Sequence, residues 1–436
     1  MAKAPSIPVR TALAAALFAL LPTAAGAAQI NYEVGVGVMQ SDNIGLAPDD
    51  GQDETVVMPQ VRFSILQAGS RLSLTGSGQL QYLDYSDNTF DDDFRGAFSG
   101  QALWTLLPER LEWTFEDYLS RQPVDSLVAF SPDNQQQTNL FVTGPTLHLK
   151  LGSGTRAQFD LRYSNSYAEE TDAFDSDRYN AAARLVRDLA TNRTLSANIE
   201  ATRVEYDDTP IDVDYTRYDG YATYSSILRT IDFSIDLGYS RLEFEDRPGD
   251  EWLPLVRGTM AWRPSARSTL DVAAGYEFSD AAEDMITSVI GGGPVVIDDP
   301  GSPVVEIAPE VFKQQRLEVG YGYTGERLGL QVRPFYQRVS YVDSLAEDEK
   351  SWGGYASVSW KLRPLLTLTA SAATLDRRFD ELSRKDRDSS FGIALENRFT
   401  RNWSARIDLQ RRERDSSEPG QDYQENVAIV SFAYRR

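Results

Sequence analysis

From about residue 30 to residue 436 the chain repeats one pattern: ten to fifteen residues of alternating apolar and polar side chains, then a connection that is in turn short and Arg-bearing or long and acidic. Residues 155–206 contain the unit. Ala157, Phe159, Leu161 and Tyr163 alternate with Gln158, Asp160, Arg162 and Ser164. An acidic loop runs from Glu169 to Asp177, Tyr179–Leu189 alternates again, Thr191-Asn192-Arg193 turns the chain, and Leu195–Tyr206 alternates once more. This period places successive side chains on opposite faces of a strand. Strands long enough to cross a bilayer, with tight turns at one end and long loops at the other, form closed barrels in an outer membrane.

The fold expected is all-β: a single transmembrane, antiparallel, up-and-down β-barrel over residues 29–436. Short turns fall near Gly69, Pro108, Ser153, Thr191, Arg229, Ser265, Gly325, Pro364 and Asn402, each with an Arg in it or close by. Loops fall at about 41–54, 85–93, 122–137, 168–177, 207–214, 245–251, 280–313, 343–350, 377–388 and 413–422. Nine turns and ten loops join about 20 strands, with 18 as the alternative. An even count puts both barrel termini on the short-turn side, which is periplasmic in this class, and the long acidic loops outside. After residue 28 nothing approaches an eighteen-residue apolar run, which excludes a helical membrane protein. No linker divides the chain into two soluble domains.

Residues 1–28 read as a signal peptide. Lys3 and Arg10 are basic, Thr11–Leu21 is apolar, and small residues run from Thr23 to Ala28. The expected destination is the outer membrane of a Gram-negative bacterium, with membrane lipid and lipopolysaccharide as surroundings. The absence of Cys removes disulfides and thiolate metal sites. A net charge of −22 argues against a nucleic-acid partner.

Parity within each strand separates two walls. Phe159, Leu161, Leu195, Ile199, Leu237, Ile393 and Leu409 belong to the one expected to face lipid. Glu112, Glu116, Lys150, Asp160, Arg162, Arg184 and Glu200 fall on the other. So do Asp232, Asp236, Arg333, Glu396, Arg406 and Asp408. A charge at mid-depth on the lipid face would cost about 2–4 kcal/mol, so these thirteen are expected to line a wet lumen. Trp104, Trp113, Trp262, Trp360 and Trp403 lie near short turns, and Trp252 and Trp352 beside long loops. That distribution is expected of two aromatic girdles.

Chemical motifs are scarce. His148 is the single His, which excludes paired-His metal motifs and leaves one candidate for a Ser–His–carboxylate triad. No G-x-S-x-G elbow, P-loop or dinucleotide fingerprint occurs. No enzyme, cofactor or metal site is expected, and an outer-membrane hydrolase using His148 ranks last among the readings. The acidic runs, Asp91-Asp92-Asp93 among them, lack the spacing of a dedicated cation loop and read as solvated charge. Loop 280–313 carries apolar Met285-Ile286 and Val295-Val296-Ile297, and either forms an external hairpin or folds into the mouth as a constriction.

Residues 111–151 hold a Trp113-Thr114-Phe115-Glu116-Asp117 strand, a Pro132-Asp133-Asn134-Gln135-Gln136-Gln137-Thr138-Asn139 segment and a following Gly144-Pro145. This resembles the outer-membrane β-barrel porins associated with exopolysaccharide and exosortase (PEP-CTERM) loci, whose members share the W-x-F-x-D and P-D-N-x-Q-x-x-N elements. The resemblance implies passage of a polysaccharide, or support of its assembly with the export machinery. Asp133, Asn134, Gln136 and Asn139 are then candidates for contacts to sugar hydroxyls, while a structural reading has them satisfy the loop's own backbone. The expected function is a porin-like channel passing hydrophilic solutes through a charged lumen. The alternative is a non-conducting barrel that anchors a polysaccharide or secretion complex.

Overall fold

The computed structural model describes residues 28–207, 213–245, 249–290, 310–342 and 347–436. Apart from Ala28, the expected signal peptide lies outside them.

Twenty strands form one sheet. The first ten are β1 (Gln29–Ser41), β2 (Glu54–Ala68), β3 (Leu72–Tyr85), β4 (Asp93–Leu107), β5 (Leu111–Gln122), β6 (Gln136–Gly152), β7 (Thr155–Ala168), β8 (Ser176–Ala190), β9 (Arg193–Tyr206) and β10 (Tyr215–Ile227). The rest are β11 (Ile231–Phe244), β12 (Asp250–Ser265), β13 (Ser268–Ser279), β14 (Phe312–Thr324), β15 (Leu328–Tyr341), β16 (Glu349–Arg363), β17 (Leu366–Phe379), β18 (Arg384–Arg398), β19 (Trp403–Ser416) and β20 (Tyr423–Arg435). A helix, α1 (Ala281–Ile290), follows β13. Each strand pairs antiparallel with its sequence neighbours, and β1 pairs with β20 from Glu33↔Arg435 to Ser41↔Val427. The sheet is a closed up-and-down barrel without a free edge.

Two arginines follow the last aromatic residue, Tyr434, and both work at this seam. Arg435 lies 2.7 Å from Glu33, which also pairs with Arg62 at 3.3 Å. The Arg436 backbone N–H donates to the Tyr32 carbonyl at 2.9 Å, and the Tyr32 N–H donates back at 3.1 Å. At the other end Ser41 donates to Glu425 at 2.7 Å. Both barrel termini lie at the short-turn end.

The strands run from 12 residues in β5 to 17 in β6, enough to cross hydrocarbon when tilted. Their two walls follow the alternation. In β7, Phe159 and Leu161 are 43% and 58% exposed while Asp160 between them is 5% exposed. All seven Trp fall on the outward parity, and Trp104, Trp252, Trp262, Trp360 and Trp403 are exposed there. Trp113 is half-buried and donates from Nε1 to Thr143 Oγ1 at 2.8 Å.

Two connections differ from the sequence reading. The loop expected at 377–388 shrinks to residues 380–383, because Phe379 and Arg384 already face each other in the ladder. Part of the loop expected at 280–313 is helical.

Gly144, just before Pro145 in β6, has φ +157°, and a Cβ built on it would stand 1.9 Å from the Leu161 carbonyl oxygen. Only a residue without a side chain lets β6 lie this close to β7. Gly144→Ala is expected to destabilise the barrel by about 1–3 kcal/mol. Urea unfolding in detergent, followed by loss of the heat-modifiable folded band, measures it.

Candidate functional site

The inward wall is a network of opposite charges. Arg184 on β8 reaches Asp160 on β7 and Glu200 on β9, the latter at 2.9 Å. Arg162 lies 3.5 Å from Asp160, which also accepts from Thr146 at 2.7 Å. Glu200 accepts from the Tyr221 hydroxyl on β10 at 2.6 Å. The Arg257 guanidinium of β12 stacks 4.8 Å from the Tyr221 ring and reaches Asp236 at 3.2 Å and Glu277 at 3.5 Å. One polar belt therefore crosses seven strands, β7 to β13.

The remaining candidates occupy separate places. Arg333 lies 4.0 Å from Glu318, which also pairs with Arg316 at 3.1 Å. Glu396 pairs with Arg398 at 3.0 Å, and Arg406 with Asp408 at 2.6 Å. Asp232 pairs with Arg263. Glu116 accepts from Gln101 at 2.7 Å and from the Tyr118 hydroxyl at 3.1 Å. Glu112 lies 3.5 Å from His148 Nε2. Lys150 pairs with Glu109 at 2.5 Å, and both are about three-quarters exposed, at the short-turn rim rather than within the belt.

Two of the segments that fold inward at the long-loop end are fastened by buried arginines. The first is α1. Asp280 caps it: its carboxylate accepts from the Glu283 N–H at 3.0 Å and from the Arg178 and Tyr215 side chains. Burial alone would push the Asp280 carboxyl up, but Arg178 and these hydrogen bonds hold it below its usual value. Arg217 grips Glu283 with two bonds of 2.8 Å. Asp284 accepts from Gln314 at 2.6 Å and faces Arg316 at 3.6 Å. Burial raises the Asp284 carboxyl against the pull of Arg316. On its other side α1 buries Ala282 and Met285 against Tyr118, Leu140, Val142, Ala168 and Phe174. The helix thus bridges β8, β10 and β14 to the wall of β5–β7. Its sequence carries a signal that periodicity missed: Asp280-Ala281-Ala282-Glu283 has the spacing of a capping box.

The second is the connection between β5 and β6, residues 123–135. Arg377 on β17 donates to the Ser126 carbonyl at 2.6 Å, and Arg384 on β18 donates to the Leu127 carbonyl. Ala129 packs with Leu46 and Tyr423. The segment therefore crosses the mouth to the opposite arc of the wall.

This placement favours the structural reading of its amides. Asn134 accepts from the Asp125 N–H at 2.8 Å and donates to the Asp125 and Ala129 carbonyls at 2.8 and 3.0 Å. Gln136 donates to Thr171 Oγ1 at 2.7 Å and accepts from the Thr171 and Glu170 N–H groups at 3.0 and 3.1 Å. Both are buried, and a loop folded into a barrel must satisfy its backbone from its own side chains. Asn139 sits on the outward parity of β6, 3.3 Å from Asp117. Asp133 accepts from Ser131 and alone of the four is solvent-exposed.

Fold and wall together define a β-barrel of the outer-membrane type with a charged interior. Residues 354–436, most of β16 and all of β17–β20, match the family described as "Putative beta-barrel porin 2". No curated protein matches the chain. Solved structures similar to it include the siderophore receptor PirA from Pseudomonas aeruginosa, with 13% identity, covering 94% of this chain and 80% of that one at a TM-score of 0.43. The FrpB iron transporter from Neisseria meningitidis (F5-1 variant) shows 9% identity over 93% of this chain and 82% of that one, with a TM-score of 0.47. A mutant of the ferric enterobactin receptor PfeA from Pseudomonas aeruginosa, in complex with enterobactin, shows 10% identity over 94% and 82%, with a TM-score of 0.48.

Asp280→Ala leaves Arg178 buried without its carboxylate, and docking of α1 is expected to weaken by about 3–5 kcal/mol. Hydrogen exchange at 281–290 should rise while the strands stay protected. Because the Asp280 carboxyl is held low, the native contact should persist through the ordinary carboxylate range and weaken only as the pH falls below it.

Proposed function

We propose that the protein is an outer-membrane channel of the porin type, whose charged lumen passes hydrophilic solutes and serves the export or assembly of an exopolysaccharide. The observation that carries the channel reading is the polar belt from Asp160 to Glu277. A barrel of this strand number is too wide for side chains to fill, so water or infolded chain occupies the rest. The belt gives that water a wall of both signs. In this reading α1 and residues 123–135 form the constriction, the long loops face outward and the barrel termini are periplasmic, as is general for the class. The polysaccharide link is supported by the resemblance of residues 111–151.

A second reading, a non-conducting barrel anchoring a polysaccharide or secretion complex, is favoured by one observation. Both infolded segments are fastened by buried arginines, Arg178 for the helix and Arg377 and Arg384 for the loop.

A reversible latch separates the two. Thr138 Oγ1 and Met285 Sδ are 3.8 Å apart, and the chain has no Cys of its own. Thr138→Cys with Met285→Cys is expected to lower single-channel conductance on oxidation in a planar bilayer and to restore it on reduction. A folded barrel that conducts in neither state overturns the channel and leaves the anchor. The polysaccharide link has its own test. A strain lacking the protein should lose surface polysaccharide, and undiminished secretion rejects the link whatever the conductance.

A further inference from the structure

The register of β15–β18 sets four cations side by side on the outward wall. Arg338 faces Lys350, Lys350 faces Arg378, and Arg378 faces Lys385, each a direct cross-strand partner of the next. Parity places all four on the side opposite to the buried Gln337, Ser351, Arg377 and Asp386. Like charges directly opposite one another destabilise a sheet, and a row of four is not explained by strand pairing. The protein as a whole is strongly acidic, so the row is also contrary to composition.

Counter-charge is short. Among the described residues, only Lys350 of the four has an ion-pair partner, Asp380. The Asp380 carboxyl is held below its usual value by the hydrogen bond from Lys350 and by the charges of Lys350, Arg338 and Arg378. Two outward arginines at the same end of other strands are matched. Arg203 has Glu205 at 2.7 Å and Glu245 at 2.9 Å, and Arg241 has Glu243 and, at 2.7 Å, Asp250.

The surroundings of the row belong to a membrane interface. Arg378 stacks 4.4 Å from the ring of Trp352, and Trp352 faces Tyr336 across the ladder. Further down the outward wall lies a groove of about 740 Å³ that runs from β17 to β20 and the end of β1, lined by apolar Ala370, Phe391, Ile393, Leu409 and Ala428, with Arg411, Asp42 and Asp53 among its polar residues. Cations, then an aromatic pair, then an apolar groove follow the order of phosphate, interface and acyl chain in an anionic lipid.

We propose that the outward face of β15–β20 is a docking site for a phosphorylated, multiply acylated glycolipid, the lipopolysaccharide of the outer leaflet. Its phosphates bridge Arg338, Lys350, Arg378 and Lys385, and an acyl chain lies in the groove. Arginine forks suit phosphate oxygens, and the bound anion relieves the repulsion that the register builds in. This assignment is independent of whether the lumen conducts.

The test uses the folded barrel in detergent with bisphosphorylated lipid A, dephosphorylated lipid A and inorganic phosphate as probes. The variant combines Arg338→Gln, Lys350→Gln, Arg378→Gln and Lys385→Gln. Arg203→Gln with Arg241→Gln is the control. Bisphosphorylated lipid A should bind the wild type and the control and raise their melting temperatures. The variant should bind at least about tenfold more weakly and gain no thermal protection. Equal binding by the folded variant, or equal binding of dephosphorylated lipid A, overturns the proposal. Displacement of lipid A by millimolar inorganic phosphate also overturns it, since the site would then serve a solute. Should the fourfold variant fail to fold, Arg378→Gln alone is expected to weaken binding severalfold, and unchanged binding counts against the site.

Discussion

The hydrogen bonds between β1 and β20 are the condition for everything else. In hydrocarbon an unpaired strand edge has no water to turn to, so a sheet of this kind is stable only when its first and last strands meet. Closure demands an even alternation of turns and loops. It also fixes parity, because one slipped residue would send Asp160 outward and Leu161 inward. Closure explains why the seam is fastened at both ends, by Glu33 with Arg435 below and by Ser41 with Glu425 above. A barrel of twenty strands then contains more space than its side chains can fill, and the fold must commit that space to water, to chain, or to both. Here part of it is given to chain. The polar belt lines the wall, and α1 with residues 123–135 enters the mouth.

The barrel was legible in the sequence because its rules are local. Alternation, a short turn such as Thr191-Asn192, and a Trp beside a turn are all written within a dozen residues, and the strand order needs nothing more. The mouth was not legible because its contacts are distant. Nothing near Ser126 and Leu127 announces that Arg377 and Arg384 will hold them, some 250 positions along the chain. Loop 280–313 was recognised as unusual by its apolar residues, yet period-two reading is blind to a helix. The capping-box spacing from Asp280 to Glu283 was the available sign. The amides of Asn134 and Gln136 show where residue type leaves two readings open. Their chemistry suits sugar hydroxyls, but that chemistry is spent on the backbone of a buried loop, and burial cannot be read from residue type.

The same distinction governs charge. Acidic residues outnumber basic ones by 65 to 43, and composition alone would describe a uniformly negative surface. The register distributes that charge into three environments. In the lumen, Arg184, Glu200, Arg257 and Glu277 are spaced so that each charge has an opposite neighbour on the next strands. At the mouth, arginines are buried against the carboxylates and carbonyls of infolded segments. On the outward wall of β15–β18 the pattern breaks, and cations face cations. A pairing rule obeyed across seven strands and violated across four neighbouring ones points to a partner supplied from outside the chain. The belt needs no such partner, because its charges are already paired with one another. For that reason selectivity, in the proposed channel, is expected to rest less on the belt than on the two segments at the mouth, which arginines from other strands hold in place.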